Sequence, residues 1–571
     1  MLRNAAGLVP GSRRAALLAA PLGVLLLCGH VGSPTVFFDG AAGPFPVHVV
    51  VRPPGVIPGR AEVAVRISPE PVARGVSRVT VRPLQWDAGR AGAPPADEAE
   101  RVRGERGLWT AQLWLMTASS YDIEVEVEGR VERAASGQQG GPSPRPADGP
   151  STGRPTAPMG EGQGRGTVVV PLSTARTRAL GMQRGLGVTL AALGLFLFGG
   201  LINLVAAGVR ESTLPAGEAP SDGRRRAARR AMVVCGILLA AALAGGKHWW
   251  DAVDQAFRQR LFRPFSCSAT ARAEGSGRRL DLVIHDPRWT SGEQGDLLPE
   301  HGKLVHLFLI REPGLDAFGH LHPVRLGPAR FAATLPPLPA GSYRLYADIT
   351  QESGFAQTLT TTVRLPTPPP PPAPTDAAPQ VLPDLDDSFR LSPALTIRPQ
   401  AVAAISPLNG GLTMTWQRRT SPLVAGREVT LRFATGNPDG SPVPLEPYMG
   451  MLGHAVVLRE DGGVFVHLHP MGTVSMSAQQ ALTRHLRGGA ATDPGPARTT
   501  TTDAASPAAT ATGGMPGMSG MEGPGADGAR TGEVTFPYEF PAPGRYRIWV
   551  QVKCGGHILT GVFDTEVGRA G

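Results

Sequence analysis

At 571 residues the chain is too long for one hydrophobic core, and domains of roughly 100 to 200 residues imply three or four separate units. The 73 glycines and 57 prolines, against 6 tyrosines and 18 phenylalanines, exclude a bundle of long soluble helices and favour short strands joined by turns. The formal net charge of +9 comes from scattered arginines with no basic stripe interleaved with stacking aromatics, which excludes nucleic acid as a partner.

Arg13 and Arg14 precede an apolar run from Ala15 to Cys28, the order of a signal sequence, and residues 1–33 are read as a signal or an N-terminal anchor helix. Leu27 stands where a lipoprotein cleavage site needs a small residue, so an uncleaved anchor stays open. From 44 to 132, alternating runs such as Glu62–Ile67 and Tyr121–Val127, broken by Pro and Gly, predict an extracytoplasmic β-sandwich of immunoglobulin-like size. Residues 133–166, rich in Gly, Pro, Ser and Arg, predict a disordered linker.

Residues 186–209 are apolar over a length that crosses a hydrocarbon layer of about 30 Å. A basic loop over 210–230 carries Arg224, Arg225, Arg226, Arg229 and Arg230, and a shorter apolar run follows over 231–247, ending near Trp249 and Trp250. The positive-inside rule puts the arginine loop in the cytoplasm and everything before and after the two spans outside. Residues 248–264 repeat Trp249, Val253, Phe257 and Leu261 every fourth position, which predicts a separate amphipathic helix on the outer surface of the bilayer. Cys28 and Cys235 lie in apolar segments, leaving Cys267 and Cys554 as the pair that could meet outside the membrane.

The rest of the chain contains an internal repeat, 267–365 against 398–567, joined by a Pro-rich linker over 366–385. The first copy holds His306 with Arg311-Glu312 and then His320-Leu321-His322-Pro323; the second holds His454 with Arg459-Glu460 and then His467-Leu468-His469-Pro470. Each continues with Gly-x-Tyr-Arg, at Gly341–Arg344 and Gly544–Arg547, and the second copy carries a low-complexity insertion over 488–532. The fold predicted for the whole chain is mainly β: three immunoglobulin-like β-sandwich domains joined by two central transmembrane helices.

Strand geometry turns the repeat into a candidate metal site. A hairpin at Asp461-Gly462 sets His454 opposite His469, with His467 on the same face and diagonal to His454, at Cβ separations of roughly 5 to 8 Å. An odd-numbered turn around Gly314 sets His306 opposite His322, with His320 diagonal to His306. Met449, Met451 and Met471 flank the second triad, and Cys554 and His557 follow the last aromatic strand. Thioether and thiolate suit cuprous copper, while imidazole suits copper or zinc, so copper is the expected cofactor and zinc the alternative. The bland counterpart is that histidines beside proline cap hairpin edges and that methionines near strands fill cores.

The H-x-H-P segments resemble those of bacterial secreted proteins with YtkA-like or FixH-like β-sandwich modules, some of which sit near copper-handling systems. The resemblance covers the two C-terminal modules and implies metal binding only for His306, His320, His322, His454, His467 and His469; the N-terminal domain has His48 and no H-x-H. The expected protein is an inner-membrane protein with its β-domains on the periplasmic side, its partners the lipid bilayer and a metal ion, buffering or delivering copper. The competing expectation is a non-catalytic structural or interaction protein that binds other envelope proteins. No nucleophile elbow, zinc-protease helix or phosphate-binding loop is present, so no enzyme is expected, and two spans whose polar residues are Thr189 and Asn203 do not make a transporter.

Overall fold

The computed structural model describes residues 30–31, 35–133, 160–215, 217–275, 277–290, 296–368, 381–395, 404–418, 422–486 and 525–569. The expected signal over 1–33, apart from 30–31, and most of the insertion over 488–532 lie outside the described residues. The fold is mainly β, with several sheets and two long apolar helices.

In the N-terminal domain, Val36–Ala42, Phe45–Arg52, Gly59–Ile67, Leu108–Leu115 and Glu100–Arg101 form one sheet. Gly160–Ser173, Ser120–Arg133, Val76–Gln85 and Asp97–Glu98 form a second. Alternate residues of both, among them Val49, Val63, Leu113, Val79, Ile123 and Val125, meet in one buried core, as a period of two requires. The linker expectation for 133–166 is corrected at its far end. Gly160–Ser173 pairs residue for residue with Ser120–Arg133, and a Cβ at Gly166 would lie 1.9 Å from the Ala42 carbonyl oxygen. What reads as low complexity is glycine selected for close strand approach.

The helices Arg184–Glu211 and Asp222–Gln259 are both long and apolar enough to cross a membrane. Their apolar side chains point outward, with Phe196 75% and Leu238 64% exposed, a surface suited to lipid and not to water. Two expectations change here. The arginine cluster and the amphipathic segment as far as Gln259 are not a loop and a separate helix: both belong to one helix with the span, because no proline interrupts 222–259, while 260–264 lie past its end. Ser221 caps its start by accepting from the Arg224 N–H. Phe262, just past this helix, donates its N–H to the Arg176 carbonyl, just before the other helix, at 2.9 Å.

Each repeat copy encloses a core between two sheets. In the first, Cys267–Glu274, Gly277–Ile284, Arg330–Thr334 and Val324–Gly327 face a sheet containing His306–Arg311, Ala317–Leu321, Gly341–Gln351 and Ala356–Leu365. In the second, Ile405–Pro407, Thr413–Trp416, Glu428–Gly436 and Glu533–Glu539 face a sheet of His454–Arg459, Val464–Leu468, Gly544–Cys554 and His557–Val567. The shared Gly-x-Tyr-Arg motif does the same work twice: Tyr343 donates its hydroxyl to the Pro339 carbonyl and Tyr546 to that of Ala542.

The two histidine-bearing sheets then pack on each other through their remaining faces. Phe308, Ile310, Phe318 and Tyr346 of the first copy meet Val456, Leu458, Phe465 and Trp549 of the second in a separate buried cluster. The contacts are reciprocal. Tyr346 stacks on Phe465 at 3.9 Å and Phe318 on Trp549 at 5.0 Å; Arg344 donates to the Asp461 carbonyl and Arg547 to that of Leu315. Equivalent residues thus exchange partners across an approximate two-fold axis, as in an isologous dimer written into one chain.

Candidate metal centre

The hairpins have the registers read from the sequence: Phe308 pairs with His320 and Val456 with His467. This places His306, His320 and His322 on one face, and His454, His467 and His469 on the equivalent face. The expectation of two independent sites, one per module, is corrected by the docking of those faces. The rings of His306 and His467 lie 5.4 Å apart and those of His320 and His454 6.4 Å apart, so the six imidazoles form one buried cluster.

A seventh member, His301, has its ring 5.1 Å from His469 and 5.4 Å from His454, both in the other copy. Among the described residues, three sets of ligand atoms lie within 4.8 Å of one another: His306, His320 and His322; His301, His454 and His469; and His322, Asp384 and Asp387.

Every triad ring is anchored by one nitrogen. In the first triad, His306 Nε2 meets the Glu300 carbonyl (3.1 Å), His320 Nδ1 the Gln551 Oε1 (2.9 Å) and His322 Nδ1 the Asp387 Oδ1 (3.0 Å). In the second, His454 Nε2 meets the Tyr448 carbonyl (3.2 Å), His467 Nδ1 the Asp348 Oδ2 (3.4 Å) and His469 Nδ1 the Val474 carbonyl (3.4 Å). Oxygen acceptors at these positions take the ring N–H, which assigns a lone pair to the opposite nitrogen.

Those opposite nitrogens converge, with His306 Nδ1 and His320 Nε2 3.2 Å apart and His454 Nδ1 and His467 Nε2 also 3.2 Å apart. Two nitrogens bound at about 2.0 to 2.1 Å to a tetrahedral ion stand about 3.3 Å apart. Nε2 of His301, His322 and His469 is buried with no hydrogen-bond partner, at a cost of roughly 1 to 3 kcal/mol each unless something satisfies it.

The electrostatics disfavour protonation of His301, His306, His320, His454, His467 and His469. Burial, reinforced by neighbouring imidazoles, holds His306, His320, His454 and His467 well below the ordinary histidine value, and pushes His301 down to about 4. Burial lifts Asp348 to about 7 against its bond from Thr358. Burial also acts to raise Glu300, but His469, His301 and the Ser475 and Ser477 hydroxyls outweigh it and hold that carboxyl below its usual value. Neutral imidazole is the form that binds metal.

The softer donors are mostly elsewhere. Cys554 alternates with Gln551 to the opposite face of its strand, in the second copy's own core, where burial pushes its thiol up to about 11. His557 is exposed across the hairpin from it. Met471 packs against the N-terminal domain, and its carbonyl accepts from the Asp39 N–H. Met449 and Met451 lie on the turn whose first residue, Tyr448, holds His454. Cys267 and Cys554 are both free thiols.

Sequence reading missed His301, Glu300, Asp348, Asp384, Asp387 and Gln551. A signal existed for the first two, since Glu300-His301-Gly302-Lys303 aligns without a gap with Tyr448-Met449-Gly450-Met451. A cleft of about 330 Å³ reaches Glu300, His306, Asp348, His467 and His469. Its other wall includes Thr174, Thr177, Phe262 and Pro264, from the segments that lead into and out of the apolar helices.

Residues 407–509 match a family model described as a domain of unknown function, DUF8832. No curated protein matches the chain. Among solved structures, dimeric latent PorU from Porphyromonas gingivalis aligns with 94% of this chain at 8% identity and a TM-score of 0.12; this chain spans 34% of that one. The BSP domain of a biofilm-associated protein aligns with 94% of this chain and 81% of its own length at 7% identity, with a TM-score of 0.13.

Proposed function

We propose that this chain is a membrane-anchored metal-binding protein whose β-domains stand on the extracytoplasmic side and buffer or deliver a first-row transition metal. The observation that carries the reading is the pattern of ring nitrogens: six buried imidazoles, each anchored through one nitrogen, with the free nitrogens of His306 and His320, and of His454 and His467, 3.2 Å apart. Imidazole with nearby carboxylate suits copper or zinc, and the resemblance of the H-x-H-P segments to YtkA-like and FixH-like immunoglobulin-like sandwiches favours copper. The orientation rests on Arg224 to Arg230 at the head of the second apolar helix, which the positive-inside rule assigns to the cytoplasm. The cleft beside Phe262 and Pro264 gives the metal a route to His467 and His469 from the face nearest the helices.

The purified full chain in detergent, equilibrated with cupric copper or zinc against a competing chelator, retains metal on this reading, and His320→Ala with His467→Ala removes it without unfolding the protein. A second reading draws on the aromatic cluster of Phe318, Tyr346, Phe465 and Trp549, which joins the modules without a metal: the histidines then serve a structural or protein-interaction role. Under it the parent retains no metal and the same variant loses thermal stability.

A further inference from the structure

The approximate two-fold axis carries one step further than the triads. The turns Glu300–Lys303 and Tyr448–Met451 match in pairing, backbone conformation and the histidine they hold. Both close by the same backbone pairing, between Glu300 and Lys303 and between Tyr448 and Met451. Both have the rare left-handed backbone at their second residue, φ 53° at His301 and 50° at Met449, followed by a glycine at φ 82° and 79°. The first residue of each gives its carbonyl to its own copy's leading histidine, His306 or His454.

The side chain of that first residue crosses to the other copy. Glu300 takes the Ser475 and Ser477 hydroxyls and the Met476 and Ser477 N–H groups, beside the carbonyl that anchors His469. Tyr448 donates its hydroxyl to the Asp386 carbonyl, beside the carboxylate that anchors His322. The second residue of the first turn, His301, likewise crosses, to His454 and His469. A non-glycine residue held at positive φ is strained, and in the first turn that backbone places the His301 ring against the opposite triad.

We infer that Met449 is the counterpart of His301 and supplies a thioether to His306, His320 and His322, so that the module interface holds two chemically unequal metal sites. The second site, His301 with His454 and His469, is all imidazole and takes a divalent ion such as zinc or cupric copper. The first, completed by Met449, is the softer site and takes cuprous copper. This rests on the metal-binding reading above.

The full chain in detergent, loaded with cuprous copper against a chelator, is examined by X-ray absorption. The expected result is a sulfur neighbour at copper that disappears in Met449→Leu, with cuprous affinity falling roughly tenfold or more and the zinc affinity of the other site unchanged. Met449→His should shift the first site toward zinc while preserving the number of bound ions. A parent that retains no metal overturns both this inference and the metal-binding reading. A parent that retains copper without a sulfur neighbour, or whose sulfur neighbour survives Met449→Leu, overturns this inference alone.

Discussion

His48 in the N-terminal domain and His306, His320, His454 and His467 between the repeat modules are the same residue in opposite electrostatic settings. His48 sits between two carboxylates, Nδ1 2.5 Å from Asp39 and Nε2 3.0 Å from Glu428 of the second module. Burial acts to lower it, but the two acidic partners outweigh that and raise it to about 9, which makes it a charged rivet between domains. Those four meet the Glu300 and Tyr448 carbonyls, the Gln551 amide oxygen, the Asp348 carboxyl and one another, and burial holds them well below the ordinary histidine value. The surroundings decide: paired acids favour the charged ring of His48, and clustered imidazoles favour the neutral ring of the other four.

The sharpest way to break this contrast is to remove ligands from the neutral set. His320→Ala with His467→Ala is expected to lower metal affinity by about 100-fold or more, read by chelator competition, whereas His48→Gln leaves bound metal unchanged. Next in size, Trp549→Ala should cost roughly 3 to 5 kcal/mol in chemical denaturation, because it hollows the cluster that presses the two ligand faces together.

His48 itself makes a pH-dependent contribution of at most roughly 3 kcal/mol, from a rise of its value from 6.5 to about 9. Its folded value is raised, so the stabilisation is complete below pH 6.5 and fades as pH climbs through 9. The stability difference between parent and His48→Gln should close over that window, and a gap that stayed constant would mean the ring is neutral. Gln551→Ala, which removes the anchor of His320 and a bond to the Ser388 hydroxyl, should weaken metal binding by about 10- to 100-fold while leaving the fold intact. His557→Ala, exposed and outside the cluster, is expected to change neither metal content nor stability measurably.

Much of this was legible in the sequence because strands keep a strict period of two. The Asp461-Gly462 turn and the odd loop around Gly314 fixed which histidines share a face, and the apolar runs marked the two long helices. Alternation says which side of a strand a residue takes and nothing about what that side will meet, so the pressing of the two histidine faces against each other was not predictable. The same gap explains Asp348 and Gln551, which occupy equivalent strand positions and serve histidines of the opposite module. Asp384 and Asp387 were hidden for another reason: they fall at the end of a proline run that reads as a spacer, yet they flank His322. Cys554 was misassigned because its neighbourhood in sequence, beside an aromatic strand and His557, does not reveal that its side chain faces the core.

The exchange of anchors between the modules has a mechanical consequence. Gln551 steadies a ring of the first module, Asp348 steadies one of the second, and His301 reaches across to His454 and His469. If the cluster holds an ion as proposed, grip on it and closure of the two sheets are a single equilibrium, linked in both directions. A partner that wedges the modules apart by a few ångströms would open the hand that holds the metal without supplying a competing ligand, and an ion arriving between them would act as the latch.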